Sequence, residues 1–100
     1  MILIYVPCKN RNESERISKF LLRNKLIACA NIFPINSLYN LKGKIKKVNE
    51  IIMIAKTNNK NFSDCVKEIK RLHSYEVPCI IKLEGKSNKE YFDWVEKELS

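Results

Sequence analysis

Glycine is scarce in this chain of 100 residues, which contains only Gly43 and Gly85. Phosphate-binding loops of the GxxxxGK and GxGxxG types need closely spaced glycines, so both types are excluded. Long apolar runs are also missing, because no stretch approaches the roughly 18 residues that a membrane span requires. Residues 1–6 lack the basic flank and the small-residue cleavage site of a signal peptide. We therefore expect a cytoplasmic protein without a membrane partner.

No CxxC motif occurs among the four cysteines, Cys8, Cys29, Cys65 and Cys79. The spacing excludes a zinc ribbon and a thioredoxin-type redox pair. A cytoplasmic location argues against structural disulfides, and a free cysteine in such a protein is usually a small buried hydrophobe. Cys8 and Cys79 lie near predicted turns, so a chemical role for these two stays open.

Acidic residues are outnumbered by basic ones, which gives a formal net charge of +8. The densest basic cluster is formed by Lys42, Lys44, Lys46 and Lys47. Such a cluster can attract anionic partners, but we favour a solvated hairpin tip that discourages edge-to-edge aggregation, because no aromatic residue is interleaved with these lysines. Nucleic-acid binding is not expected, because the predicted central strands carry too few aromatic side chains for base stacking.

The first half of the chain reads as a strand, a helix and a second strand. Residues 1–6 are apolar without polar alternation, which is typical of a central strand covered on both faces. Asn12 and Glu15 resemble a capping pair, and they predict a helix over residues 13–25. A second strand follows over residues 26–41, and Pro34 within it predicts either a position at the sheet edge or a bulge at that residue.

The second half begins with a predicted turn at Lys42 and Gly43, followed by a third strand over residues 45–56. Its continuously apolar centre indicates another central strand. Asn61 is predicted to cap a second helix, which is followed by a fourth strand over residues 77–83. The apolar stripe of that helix has helical spacing and consists of Phe62, Cys65, Val66, Ile69 and Leu72.

A last helix is predicted after Gly85, where Ser87 and Glu90 have the spacing of a capping box. Its predicted buried face contains Tyr91, Trp94, Val95 and Leu99. The order βαββαβ with an added C-terminal helix predicts an α+β, ferredoxin-like domain over residues 1–100, with an antiparallel sheet. The helices would cover one face of the sheet, and a second subunit is expected to cover the other.

Several motifs, in order along nearly the whole chain, resemble the CutA divalent-ion-tolerance family. They are KLIACANIFP at 25–34, SxYxxxGK at 37–44, EI at 50–51 with KT at 56–57, HxYEVP at 73–78 and YxxW at 91–94. The resemblance implies a homotrimer with intersubunit sheet contacts and an architecture similar to that of the nucleotide-sensing PII regulators. It also implies a non-enzymatic role in the response to copper and other divalent metals.

The sequence departs from the family pattern at several positions. Ile35 replaces a glycine, Leu41 a tryptophan, Ser74 a proline and Cys79 an acidic residue. In some members of the family a cysteine and two adjacent histidines are described as metal ligands, and those positions hold Val6, Leu72 and His73 here. Only His73 matches, so the metal site of those members is not copied directly.

His73 is the single histidine, and we consider it the first candidate metal ligand. Cys8 lies on the same strand face as the family cysteine position, so Cys8 and His73, with Glu76 or Cys79, form a conceivable soft site for copper. The alternative is that His73 is structural and holds the loop before the fourth strand.

Polar residues at the predicted strand ends suggest a second kind of site. The functional interpretation is a cleft for a small anionic ligand between subunits, and the structural one is hydrogen bonding that closes a trimer. These polar strand-end residues are Tyr39, Lys44, Lys56, Tyr75 and Glu76. Trp94, in contrast, is interpreted as a core or subunit-contact residue.

Catalysis has little support, because no nucleophile, base and orienting group share an arguable spacing. An acylphosphatase would share the predicted fold, but its anion loop needs a glycine that residues 7–11 do not have. We therefore expect a trimeric metal-tolerance protein that binds copper weakly. The alternatives are a PII-like regulator that binds a small anion, and an interaction hub without a ligand.

Overall fold

The computed structural model describes residues 1–100 and contains one four-stranded sheet with three helices. The sheet order is β2-β3-β1-β4, and every neighbouring pair is antiparallel. The predicted α+β ferredoxin-like arrangement is confirmed, and no helix reaches the length and hydropathy of a membrane span. The elements are β1 (Ile2–Cys8), α1 (Arg11–Arg23), β2 (Cys29–Leu41), β3 (Lys44–Thr57), α2 (Asn59–Leu72), β4 (Ile81–Glu84) and α3 (Lys89–Leu99).

Strand β1 lies at the centre of the sheet, as its apolar sequence predicts. Ile2 pairs with Thr57 of β3 on one side and with Glu84 of β4 on the other. Alternate side chains of β1 are fully buried because α1 and α2 cover that face. Their burial forms the main core, which contains Ile2, Ile4, Val6, Cys8, Ile17, Leu21, Ile27, Met53, Ala55, Cys65 and Ile69.

The predicted apolar stripe of α2 is confirmed for four of its five residues, whereas Val66 is half-buried outside the core cluster. Cys65 and Ile69 are buried in the main core, and Phe62 and Leu72 pack against it. The side chain of Cys65 also donates to the carbonyl of Leu26, with sulfur and oxygen 3.4 Å apart. The structural interpretation of Cys65, as a buried core residue, is therefore confirmed.

The start of α1 differs from the prediction. The cap is Asn10, whose side-chain oxygen accepts the N–H of Glu13 at 2.9 Å, so the helix begins two residues before residue 13. Asn12 and Glu15 lie inside the helix. Both asparagines suit a cap, and burial of the Glu13 carboxylate favours the earlier one.

The starts of the other two helices also differ from the prediction. Asn58, not Asn61, caps α2, and it accepts the N–H of Asn61 at 2.9 Å. Before α3 the hydroxyl of Ser87 donates to the carbonyl of Asn88, so the predicted capping box with Glu90 does not form. Of the predicted buried face of α3 only Val95 is buried, while Trp94 is 43% exposed.

Strand β4 is shorter than predicted, because it begins at Ile81 and not at residue 77. Residues 73–80 form a connection that crosses the end of the sheet where β1 finishes. Pro78 in this connection has no N–H to donate to a strand pair. This connection and the link between β1 and α1 meet at the same end of the sheet, and that meeting point holds the candidate site.

A two-stranded arm of β2 and β3 extends beyond the end of the sheet where β1 finishes. Only Ile51–Thr57 of β3 pairs with β1, so the ladder between residues 35–41 and 44–50 has no third strand. Lys42 and Gly43 form the tip with positive φ values of 51° and 80°, as a tight hairpin requires. The predicted turn is confirmed, and the apolar side chains on the arm are largely exposed.

Candidate metal centre

Three buried side chains meet where β1, α1 and α2 converge. Cys8 is the last residue of β1, Glu13 lies in the first turn of α1, and His73 directly follows α2. One ligand atom from each residue lies within 4.8 Å of the other two. The cluster thus combines a thiol, a carboxylate and an imidazole, which are the side-chain groups that bind transition metals.

The imidazole of His73 is held through both of its nitrogens. Nδ1 accepts the backbone N–H of Tyr75 at 3.0 Å, so this nitrogen carries no proton. The proton is therefore on Nε2, which donates to the carbonyl of Pro7 at 2.8 Å. Nε2 also lies 3.9 Å from Oε1 of Glu13. The ring thereby fastens the connection after α2 to the end of β1.

The carboxylate of Glu13 joins two connections. Oε1 accepts the backbone N–H of Lys9 and Oε2 that of Ser74, both at 2.8 Å. Burial raises the pKa of Glu13, but hydrogen bonds from Ser74 and Lys9 outweigh burial and hold the pKa below its ordinary value. Glu13 is therefore a buried anion at neutral pH.

The thiol of Cys8 is buried and weakly hydrogen-bonded. Its sulfur lies 3.7 Å from the carbonyl oxygen of Val6, to which it donates. Burial raises the pKa of Cys8 to about 12, and the negative charges of Glu13 and Glu50 act in the same direction. The thiol is therefore protonated at neutral pH, and the side chain is a poor nucleophile in this state.

The donor set fits a transition metal in composition, but its hydrogen bonds oppose binding. A metal needs the Cys8 thiolate and a ring nitrogen of His73 with a free lone pair, and the structure supplies neither directly. Binding must therefore expel the thiol proton and exchange a backbone hydrogen bond of the imidazole. We expect affinity to be modest and to increase with pH.

The structure brings together only part of the predicted metal set. His73 and Cys8 are adjacent, whereas Glu76 and Cys79 are exposed and lie outside the cluster. Glu13 takes the third place, and the sequence analysis did not consider it. One sequence feature could have revealed Glu13: this acidic residue follows the first strand closely and therefore lies at the end of the sheet where His73 also lies.

Tyr75 extends the cluster into a hydrogen-bonded network. Its ring centroid lies 4.7 Å from that of His73, and its hydroxyl donates to Oε2 of Glu50 at 2.7 Å. Ser37 donates to Oε1 of the same carboxylate at 2.6 Å. Burial, together with the hydrogen bond to Glu50 and its charge, raises the pKa of Tyr75 well above its ordinary value. The phenol is therefore a hydrogen-bond donor at neutral pH.

The other predicted strand-end residues do not converge with Tyr75 within one chain. Tyr39 and Lys44 lie on the exposed arm. Lys56 places its ammonium 5.1 Å from the ring centroid of Tyr91, which in turn stacks on Trp94. A cleft built from all these residues is therefore absent from the single chain.

Comparison with known proteins gives one consistent family. A family model described as CutA1 divalent ion tolerance protein matches residues 2–98. A divalent-cation tolerance protein CutA from Archaeoglobus fulgidus is 44% identical over 95 residues, which are 94% of this chain and 93% of that protein. The corresponding protein from Pyrococcus horikoshii is 34% identical over 99 residues, 98% of this chain and 97% of that protein.

Solved structures agree with the sequence relatives. A structure of CutA from Archaeoglobus fulgidus, described as a periplasmic divalent cation tolerance protein, superimposes with a TM-score of 0.94 at 40% identity and covers 100% of both chains. A CutA1 variant from Pyrococcus horikoshii superimposes with a TM-score of 0.95 at 34% identity, over 100% of this chain and 99% of the other. With sequence, fold and topology in agreement, the chain belongs to the CutA1 divalent ion tolerance family.

Proposed function

We propose that this protein contributes to divalent-cation tolerance without enzymatic activity, by binding copper weakly and reversibly at Cys8, Glu13 and His73. The observation that carries the proposal is the meeting of these three side chains within 4.8 Å. Thiolate and imidazole are preferred ligands of copper, and the carboxylate offsets the charge of the ion.

The hydrogen bonds of the cluster favour weak, reversible binding of copper, because a permanently bound ion would have to replace them. Copper would displace the proton of Cys8, whose pKa is about 12, so binding releases a proton and strengthens as the pH rises. Glu13 needs no deprotonation, because its pKa is already below the ordinary value. Reversible loading suits a tolerance function, in which the concentration of free metal changes.

Calorimetric titration of the reduced protein with copper and with zinc tests the proposal. We expect micromolar copper affinity that falls at least about tenfold, or 1.4 kcal/mol, in Cys8→Ser and in His73→Ala. Cys65→Ser is the matched control, because this second buried cysteine lies outside the cluster. Circular dichroism of each variant separates lost binding from lost folding. Absence of copper binding, or equal binding by all four proteins, would contradict the proposal.

We also propose that the protein acts as a homotrimer. The support is apolar surface that a single chain leaves exposed. On the arm, Leu38 is 68% and Ile45 77% exposed. An isolated two-stranded ribbon is only marginally stable in water, so further copies of the chain would stabilise the arm by pairing with it. The sheet face opposite α1 and α2 also presents apolar side chains, those of Leu3, Tyr5, Ile54, Ile81 and Leu83.

Sedimentation equilibrium at micromolar concentration tests the trimer. We expect about three times the chain mass of 11.8 kDa. Ile45→Lys should shift the distribution towards monomer, whereas the control Lys46→Gln, on the same strand, should not. A monomeric native protein would contradict the proposal.

The proposed compartment is the cytoplasm, where thiols remain reduced. In support, all four cysteines are free, and two of them are buried in the core. Cell fractionation with periplasmic and cytoplasmic marker enzymes tests this assignment. Recovery with the periplasmic marker would contradict it.

A further inference from the structure

A cleft lies beside the cluster, between the link from β1 to α1 and the ladder of β2 with β3. Its volume is about 650 Å³, which is in the range of small-molecule sites. One wall comes from the start of α1 and the opposite wall from the two strands. The lining residues are Lys9, Asn10, Arg11, Pro34, Ile35, Asn36, Asn49, Glu50 and Ile51.

The charges of the cleft favour an anion. Lys9 and Arg11 both line it, and neither forms a salt bridge with an acidic residue. Glu50 is the single acidic residue of the lining, and each of its oxygens already accepts a hydrogen bond, from Ser37 and from Tyr75. The two cations are therefore available to a ligand, while the carboxylate is largely occupied.

The remaining lining provides neutral hydrogen-bonding groups and apolar contact. The side-chain amide of Asn36 donates to the side-chain oxygen of Asn49 at 2.6 Å, which fixes both amides across the two strands. Pro34, Ile35 and Ile51 add apolar surface. This mixture suits an organic molecule with an anionic group better than a bare inorganic ion.

The cleft is also held in shape before any ligand binds. The backbone of Lys9 is fixed by the Glu13 carboxylate, and Glu50 is fixed by the hydroxyl of Tyr75. A preformed wall reduces the entropy lost on binding. We propose that this cleft binds a small organic anion carrying a carboxylate or phosphate group, with Lys9 and Arg11 as its anion contacts.

NMR titration of the metal-free, 15N-labelled protein tests this site without involving copper. The probes are citrate for carboxylates and glycerol 3-phosphate for phosphates, added at constant ionic strength. We expect saturable shifts of the amide signals of Lys9, Asn10, Arg11 and Asn36 with at least one probe. The probe that saturates identifies the chemical group.

Two double variants separate a specific site from the general attraction of a chain with a net charge of +8. Lys9→Gln with Arg11→Gln should weaken binding at least about tenfold. Lys42→Gln with Lys44→Gln removes the same charge from the arm tip and should change affinity less than about twofold. The proposal is overturned if neither probe saturates the protein at a concentration of about 10 mM. Equal losses in both double variants would also overturn it.

Discussion

The carboxylate of Glu13 accepts the backbone N–H of Ser74 at 2.8 Å, across 61 positions of the sequence. Its other oxygen accepts the N–H of Lys9. One buried side chain therefore joins the two connections that build the candidate metal centre and a wall of the cleft. The stability of this end of the molecule should depend on its charge.

Replacing Glu13 with Gln keeps the shape of the side chain but places an amide N–H₂ against a backbone N–H. One hydrogen bond is lost and a buried donor is left unpaired, so we expect a loss of about 2–3 kcal/mol in the free energy of unfolding. Urea denaturation measures the loss. Glu15→Gln, in the same helix, is the control and should stay within about 0.5 kcal/mol of the native protein.

Acid should destabilise the native protein through the same carboxylate. Because the pKa of Glu13 is lowered in the folded state, its contribution is present above the ordinary glutamate pKa and is lost as the pH falls through the folded value. The urea midpoint of the native protein should therefore fall more steeply below about pH 4.5 than that of Glu13→Gln. Parallel pH profiles for the two proteins would show that this carboxylate is not responsible.

The cysteines should differ sharply in reactivity. Burial raises the pKa of Cys8 to about 12 and that of Cys65 to about 11, so neither forms a thiolate near neutral pH, whereas Cys79 is exposed. Brief treatment with iodoacetamide at pH 7.5, followed by peptide mass spectrometry, should label Cys79 and leave Cys8 and Cys65 intact. Labelling in urea is the control and should modify all of them. Early labelling of Cys8 in the folded protein would contradict its burial in solution.

The same two pKa values predict alkaline destabilisation. A raised folded pKa gives stability that is present below the ordinary thiol pKa of 9.0 and lost as the pH rises through the folded values. The urea midpoint should therefore decrease above about pH 9. Cys65→Ala should make that decrease shallower, and an unchanged slope would count against this thiol as a cause.

Tyr75→Phe removes the hydroxyl that donates to Glu50 and leaves the ring in place. Because the acceptor is a carboxylate, we expect a loss of about 1.5–3 kcal/mol in the free energy of unfolding. Tyr39→Phe is the matched control, since this tyrosine lies on the exposed arm, and it should have almost no effect. Equal unfolding curves for the two variants would mean that the bond to Glu50 contributes nothing.

The sheet could be predicted from the sequence because its central strands are apolar on both faces. Residues 1–6 and the IIMIA segment at 51–55 reveal β1 and β3 without further information. The starts of α1 and α2 could not be predicted as well, because the chain offers several asparagines near each of these two. Asn10, and not Asn12, caps α1 because the carboxylate of Glu13 is buried, and local sequence does not show that burial.

The candidate site could be predicted only in part, because local sequence does not show which distant residues come into contact. Cys8 and His73 stand out in the sequence because cysteine and histidine are typical metal ligands. Glu13 does not stand out, because an acidic residue in the first turn is common in helices. Cys79 was included because it and Cys8 were expected to flank the same end of the sheet. Strand β4 begins only at Ile81, so Cys79 lies in the connection before the strand, where its side chain is exposed.

The central place of β1 has a consequence for how the chain folds. Ile2 of β1 pairs with Thr57 of β3 and with Glu84 of β4. Both neighbouring strands of β1 are therefore synthesised much later than β1 itself. During translation this apolar strand has no partner until β3 has emerged and lacks its second until β4 follows. Folding through such distant pairings is slow compared with the folding of helical bundles. The nascent chain should therefore need protection from aggregation until its last strand is complete.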